Sequence, residues 1–302
     1  MLVIQYLKNK GGGGLGDRIV GLISIKLMSK LLKKDFYILW ERENIKQYFD
    51  YQKYDFSLLN IKSKDSKTYR SMDRQKKFKD YLMNSTDLFT EEISFFSLNQ
   101  EISQYLYKNK LFQEHNYIQD ILNEYKIIYT DILKPTNYLL EKVNKLILDK
   151  RNIVGIQIRC GDCYMNSNSS HVTDNDTDIH SKLLNIKNLC ESKFDNDYNI
   201  FFTTDNLKIL DDINSMFGES RVIYNNDIIQ HIDKNAVDSD ISKVFVDNYI
   251  LSQKTDLLII CVNSNYGRLA ALTSNHDQLY SFTTLDILDR KTLLSKHENL
   301  FI

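Results

Sequence analysis

The sequence predicts an α/β protein made of two Rossmann-like domains, with parallel sheets facing a cleft. Three observations predict it. A strand, a glycine turn, a helix and a second strand open the chain. Strands and helices alternate again from residue 153 to residue 282. A periodic segment after Pro135 separates the two runs. At 302 residues the chain has room for two cores, and the division falls at 1–145 and 146–302.

The elements can be justified in chain order. Leu2 to Leu7 is apolar except for Gln5 and reads as a buried strand. Lys10 to Gly16 is a glycine loop, and Asp17 is placed to cap the helix after it. Ile19, Val20, Leu22, Ile23, Leu27, Met28, Leu31 and Leu32 give that helix a wide apolar face. Phe36 to Trp40 returns as a strand, and a βαβ unit of this kind implies a parallel sheet. From Arg42 to Leu133 the pattern is weaker: Lys62 to Asp80 is charged and reads as a solvated loop or helix, and residues 101–133 as mostly helical. Tyr138, Leu139, Val143, Leu146 and Ile147 then mark a connecting helix. The second half reads as strand 153–159, helix 178–194, strand 199–204, a helix ending at Phe217, and strand 221–224. Helix 240–253, strand 256–262, helix 266–272 and strand 279–282 complete it.

Composition narrows the function. Lys and Arg number 39 against 40 Asp and Glu, so no basic excess exists to neutralise a nucleic-acid backbone. The longest apolar run, Leu257 to Val262, is far below the roughly 20 residues of a spanning helix. Met1 to Leu7 lacks the form of a signal peptide, and the expected location is cytoplasmic. Four cysteines in a chain of this length do not form a disulfide framework.

Open α/β sheets bind ligands at the carboxyl ends of their strands, and four such ends carry unusual residues. Gly11, Gly13 and Gly16 match G-x-G-x-x-G after a strand, and Glu41 follows the next strand as a ribose-binding acid would. An NAD(P)-dependent oxidoreductase is therefore one reading; a tight packing turn is another. Arg159 ends an apolar strand, where a guanidinium needs an anionic partner: a diphosphate, or a neighbouring Asp162 or Asp205. Thr203-Thr204-Asp205-Asn206 ends a third strand, with Asp205 as a helix cap or a ligand group. Asn263-Ser264-Asn265 opens a helix, either as a bare cap or as an anion site.

Taken together, these segments resemble a known family. Gly14-Leu15-Gly16-Asp17-Arg18 looks like the G-G-L-G-[DN]-R start of fucosyltransferases of the nodulation and α1,6 type. Gln157-Ile158-Arg159-Cys160-Gly161-Asp162 is similar to the H-x-R-R-G-D peptide shared by the α1,2, α1,6 and protein O-fucosyltransferases. Phe202 to Asn206 resembles their strand end. Leu251-Ser252-Gln253, Asp256-Leu257-Leu258, Asn263-Ser264-Asn265 and Arg268-Leu269-Ala270 resemble their last motif. Residues 42–150 carry no such likeness.

The resemblance implies a GT-B enzyme that inverts the anomeric centre of GDP-fucose and transfers fucose to a glycan hydroxyl, with no metal or other cofactor. It implies an N-terminal domain on the acceptor side and a C-terminal domain that binds the nucleotide sugar. Arg159 would hold the β-phosphate, Ser264 and Asn265 would add hydrogen bonds, and Asp205 or Asp247 would contact guanine or ribose. Gly14 and Gly16 would face the donor from the other domain. Asp162 and Asp17 are the candidate bases. This chain departs from the motif at Gln157, where the family has His, and at Cys160, where it has a second Arg; no acid lies in Met165 to Ser170. A nucleotide-sugar binder without catalysis is the reading those departures leave open. Cys160 and Cys163, the acidic loop Asp174 to Asp178 and the six histidines lack a complete metal spacing.

Overall fold

The computed structural model describes residues 1–7, 13–41, 44–61, 64–70, 76–159, 179–206, 208–227, 241–275 and 278–299. The chain divides into two compact units, one built mainly on Met1–Tyr138 and the other on Leu139–Ile229 and Ser242–Leu293.

In the first unit, β1 (Leu2–Tyr6) is buried along its whole length, as its apolar run requires. Helix α1 (Leu15–Leu31) returns the chain to β2 (Phe36–Trp40), which pairs with β1 in parallel from Leu2 opposite Phe36 to Tyr6 opposite Trp40. After the short α2 (Ile45–Tyr48) and β3 (Phe49–Asp50), the chain adds β4 (Ser66–Arg70), α3 (Lys76–Asn84) and β5 (Ile93–Ser97). The sheet order is β2-β1-β5-β4, every pair parallel. Helices α4 (Ser103–Tyr107) and α5 (Tyr117–Ile127) come next, and β6 (Lys134–Pro135) pairs antiparallel with β3.

The segment expected to be a solvated loop or helix thus contains an edge strand, β4, before α3. Its Ser66, Lys67 and Thr68 are exposed, and Tyr69 alone of these four is buried. Tyr69 stacks on Phe96 with ring centroids 5.1 Å apart, and Phe89 meets Phe96 edge-on at 5.3 Å. One aromatic anchor fastens a strand whose other visible side chains face water.

Helix α1 packs against the sheet at Gly21. A Cβ there would lie 2.4 Å from the Leu98 carbonyl oxygen, just past β5, so only glycine permits this approach.

The second unit begins with α6 (Asn137–Ile147). It comprises β7 (Ile153–Ile158), α7 (Ile179–Phe194), β8 (Asn199–Thr204), α8 (Lys208–Phe217), β9 (Val222–Tyr224), α9 (Ser242–Gln253), β10 (Leu257–Ile260), α10 (Asn265–Thr273) and β11 (Leu279–Ser281). Helix α11 (Arg290–Asn299) closes the described chain. The five strands run parallel in the order β11-β10-β7-β8-β9. Counted from β7 as the first strand, this is the 3-2-1-4-5 type of arrangement, a doubly wound sheet. Strand order reverses between β7 and β10. All six residues of β7 and all four of β10 are buried, which puts the apolar runs Ile153–Ile158 and Leu257–Ile260 at the centre. Gly155 admits α9 and its exit turn here; a Cβ would lie 2.7 Å from the Thr255 methyl.

Candidate functional site

The reversal between β7 and β10 is where a doubly wound sheet opens a crevice, because the two crossovers leave in opposite directions. Arg159 directly succeeds β7. Its backbone N–H donates to the Cys261 thiol sulfur across the reversal, at 3.3 Å. Its Nε lies 3.2 Å from Asp205 Oδ2 at the end of the neighbouring β8, and the two side chains are 32% and 12% exposed. The guanidinium is thus neither in bulk water nor sealed in the core. The pairing with Asp205 that the sequence left open is formed, and it holds the planar fork between the ends of β7 and β8.

Two residues earlier, Gln157 is buried and opposite Ile260 in the ladder. Its Oε1 accepts from the Cys261 N–H at 3.2 Å, and its Nε2 donates to Ser264 Oγ at 3.4 Å. Ser264 is the N-cap of α10, and its Oγ also accepts from the Gly267 N–H at 3.3 Å. Gly267 leaves room for the Gln157 amide in this position, since a Cβ would stand 2.3 Å from its Oε1 and displace it. Arg268 is buried; it donates to the Val262 carbonyl at 2.8 Å and to the Asn265 side-chain oxygen. Asn265 is therefore anchored from below at the start of α10.

Asp247 lies deeper. It is 1% exposed and accepts from Thr203 Oγ1 at 3.1 Å and Asn225 Nδ2 at 2.8 Å, with Lys243 Nζ 3.1 Å away one helical turn earlier. Burial pushes its carboxyl above the ordinary aspartate range, against the opposing pull of Lys243 and the hydrogen bonds. Lys243 also donates to the Asn225 carbonyl and lies 4.0 Å from the Tyr224 ring centroid. This network pins the ends of β8 and β9 to α9. The sequence pointed to Asp247 and Thr203 but not to Lys243 and Asn225; an acid and a base four apart on a helix between apolar neighbours was the available signal.

In the first unit the described part of the glycine loop runs from Gly13. The sequence placed Asp17 as the cap, but the N-cap is Gly14, and Asp17 lies in the first turn. Its Oδ2 accepts from the Gly14 N–H at 3.0 Å, so its carboxylate closes the loop from inside the helix. Gly13 has φ of +71°, and a Cβ there would stand 2.7 Å from Asp17. Gly16 is buried in the same turn. Arg18 is fully buried beneath it: Nε donates to the Gly13 carbonyl at 3.0 Å, and the guanidinium carbon is 5.8 Å from the ring centroids of both Tyr6 and Trp40. The Tyr6 hydroxyl donates to the Arg18 carbonyl at 2.5 Å. The loop also stands at its own sheet's reversal, between β1 and β5.

Gly11, Gly12, Cys160, Asp162, Cys163, His171 and Asp174 to Asp178 lie outside the described residues. Among those described, no three metal-ligating side chains come together, and no helix is long and apolar enough to cross a membrane.

Each of the two units is built on a parallel α/β sheet, and the fold is of the GT-B class. Solved fucosyltransferases share this fold. The chain is similar to a mutant of Arabidopsis thaliana FUT1 in complex with GDP, with a TM-score of 0.62 at 15% identity over 96% of this chain and 71% of that one. It is also similar to the NodZ α-1,6-fucosyltransferase soaked with GDP-fucose, with a TM-score of 0.56 at 12% identity over 90% of this chain and 92% of that one. POFUT1 in complex with GDP gives a TM-score of 0.56 at 11% identity, covering 93% of this chain and 96% of that one. No protein-family model matches the sequence, and no curated protein matches it. At these identities the likeness is one of fold.

Proposed function

We propose that the chain is an inverting glycosyltransferase that moves fucose from GDP-fucose to a glycan hydroxyl. The observation that carries this reading is Arg159 at the end of β7, its side chain paired with Asp205 and its backbone N–H bonded to the Cys261 sulfur, while the Ser264-capped α10 starts from the end of the adjacent strand β10. A cation and a helix N-terminus at the carboxyl ends of adjacent strands suit a diphosphate. Arg159 neutralises the charge that develops on GDP as the glycosidic bond breaks, a role that needs a group already aimed before reaction. Ser264 and Asn265 donate to the same diphosphate. Asp205 fixes the angle of the guanidinium, and Asp247 acts on the nucleoside side through the residues it holds in place. Gly14 and Gly16 form the loop assigned to the sugar half of the donor. Asp162 and Asp17 are the carboxylates proposed to take the acceptor proton. No cofactor or metal enters this scheme.

The test is thermal shift with GDP, UDP and NAD(P), combined with donor turnover. GDP is expected to raise the melting temperature, and Arg159→Ala to lower kcat by about 10²–10³ with the fold intact. Stabilisation by NAD(P) and by no nucleoside diphosphate would replace the transferase with an oxidoreductase. GDP-fucose binding without turnover across an acceptor panel would leave a binding protein.

A further inference from the structure

We infer that Gln157 is a positioning residue that commits the Ser264 hydroxyl to donating its proton to the bound diphosphate; the inference rests on the proposed function and assigns a mechanism to the same site. A serine hydroxyl has two acceptor positions and one proton. Both acceptor positions of Ser264 Oγ are taken inside the protein, one by Gln157 Nε2 and one by the Gly267 N–H. The proton is then the valence left to offer outward, and an anionic oxygen is the partner that accepts it.

Gln157 can impose this only because its own amide is oriented. A carboxamide could present oxygen or nitrogen to Ser264. Here the Cys261 N–H takes the oxygen, so the nitrogen must face the hydroxyl. The Cys261 N–H also reaches the Gln157 carbonyl in the strand ladder, which fixes this donor in place. Gly267 completes the lock by leaving space for Oε1, which any Cβ would invade. The chain runs from Cys261 N–H through Gln157 to Ser264 and has one direction. The opposite polarity would leave Ser264 accepting nothing from Gln157 and free to turn its proton inward.

A cycle on the full chain tests this, reading GDP and pyrophosphate affinity by calorimetry alongside the melting temperature and the split between KM and kcat. Gln157→Leu keeps the bulk and removes the tie. It is expected to weaken GDP binding about tenfold or more, as loss of one charge-assisted hydrogen bond does. Ser264→Ala is expected to weaken it similarly, and the double variant no further. Ser264→Thr, which keeps a hydroxyl, is expected to remain sensitive to Gln157→Leu. Should Gln157→Leu fail to fold, the isosteric Gln157→Glu gives the same reading: its carboxylate captures the Ser264 proton, GDP affinity falls, and adding Ser264→Ala changes nothing more. Binding by the unmodified chain with additive losses, or with no loss, overturns the role of Gln157 alone. Absence of GDP and pyrophosphate binding overturns both this inference and the proposed function.

Discussion

Glu101 is the residue whose titration should be felt. It is buried between β5 and α4, where its Oε1 accepts from the backbone N–H of Ser103 at 2.6 Å and from the Ser103 hydroxyl. Burial outweighs these bonds and pushes its carboxyl up to about 7. The folded state therefore holds a proton that the unfolded chain releases near pH 4.5. The stability this confers is full below pH 4.5 and drains away as pH rises to about 7, a loss of about 3 kcal/mol at the upper end. Glu101→Gln should flatten denaturant midpoints across that window and leave the variant the more stable above it; a profile unchanged by the substitution would remove Glu101 from the account. Residue-scale legibility was uneven. Arg159, Ser264 and Asp205 stood out because charge or hydroxyl at the end of an apolar strand is chemically conspicuous. Glu101 and the Cys261–Arg159 contact did not, because each depends on burial or on a neighbour distant in sequence, which no local pattern encodes.

Among the elements, α1 carries the clearest prediction. Gly21→Ala drives a methyl into the Leu98 carbonyl, and backbone cannot yield as a side chain does. A loss of about 1–3 kcal/mol is expected, measured as a fall in the urea midpoint with the m-value unchanged. The elements read correctly from sequence include those with continuous apolar runs or wide apolar faces, β1, α1, β2, β7, β8, β10 and α9, and the shorter or less apolar α6, α7, α8, β9, α10 and β11 of the second unit. Strand β4 was missed because an edge strand wets most of its length, and Ser-Lys-Thr-Tyr-Arg alternates nothing that marks a buried face. Strand β5 is largely buried but only five residues long, between polar stretches. The second unit's sheet was easier for the reverse reason: its central strands are covered on both faces, and their sequences are rich in aliphatic and aromatic residues.

The whole molecule holds two doubly wound sheets with separate cores, so a single cooperative transition is not expected. Scanning calorimetry should give a calorimetric enthalpy larger than the van't Hoff enthalpy. GDP should raise the transition of the second unit, where Arg159 and Ser264 lie, and Gly21→Ala should lower the other. One transition that shifts as a block under both treatments would refute this. The α/β class with parallel sheets was legible because strand–turn–helix periods recur in both halves. Strand order was not, since nothing local tells β10 to lie beside β7 and not beside β9. That order puts Gln157 against Cys261 and so creates the site.

Strand β7 is the middle of five strands, its full length buried. Amides so placed surrender their protons to solvent only when the unit opens as a whole. The backbone of Arg159 is thereby tethered to the last part of the unit to loosen, and its side chain needs only Asp205 to hold its aim.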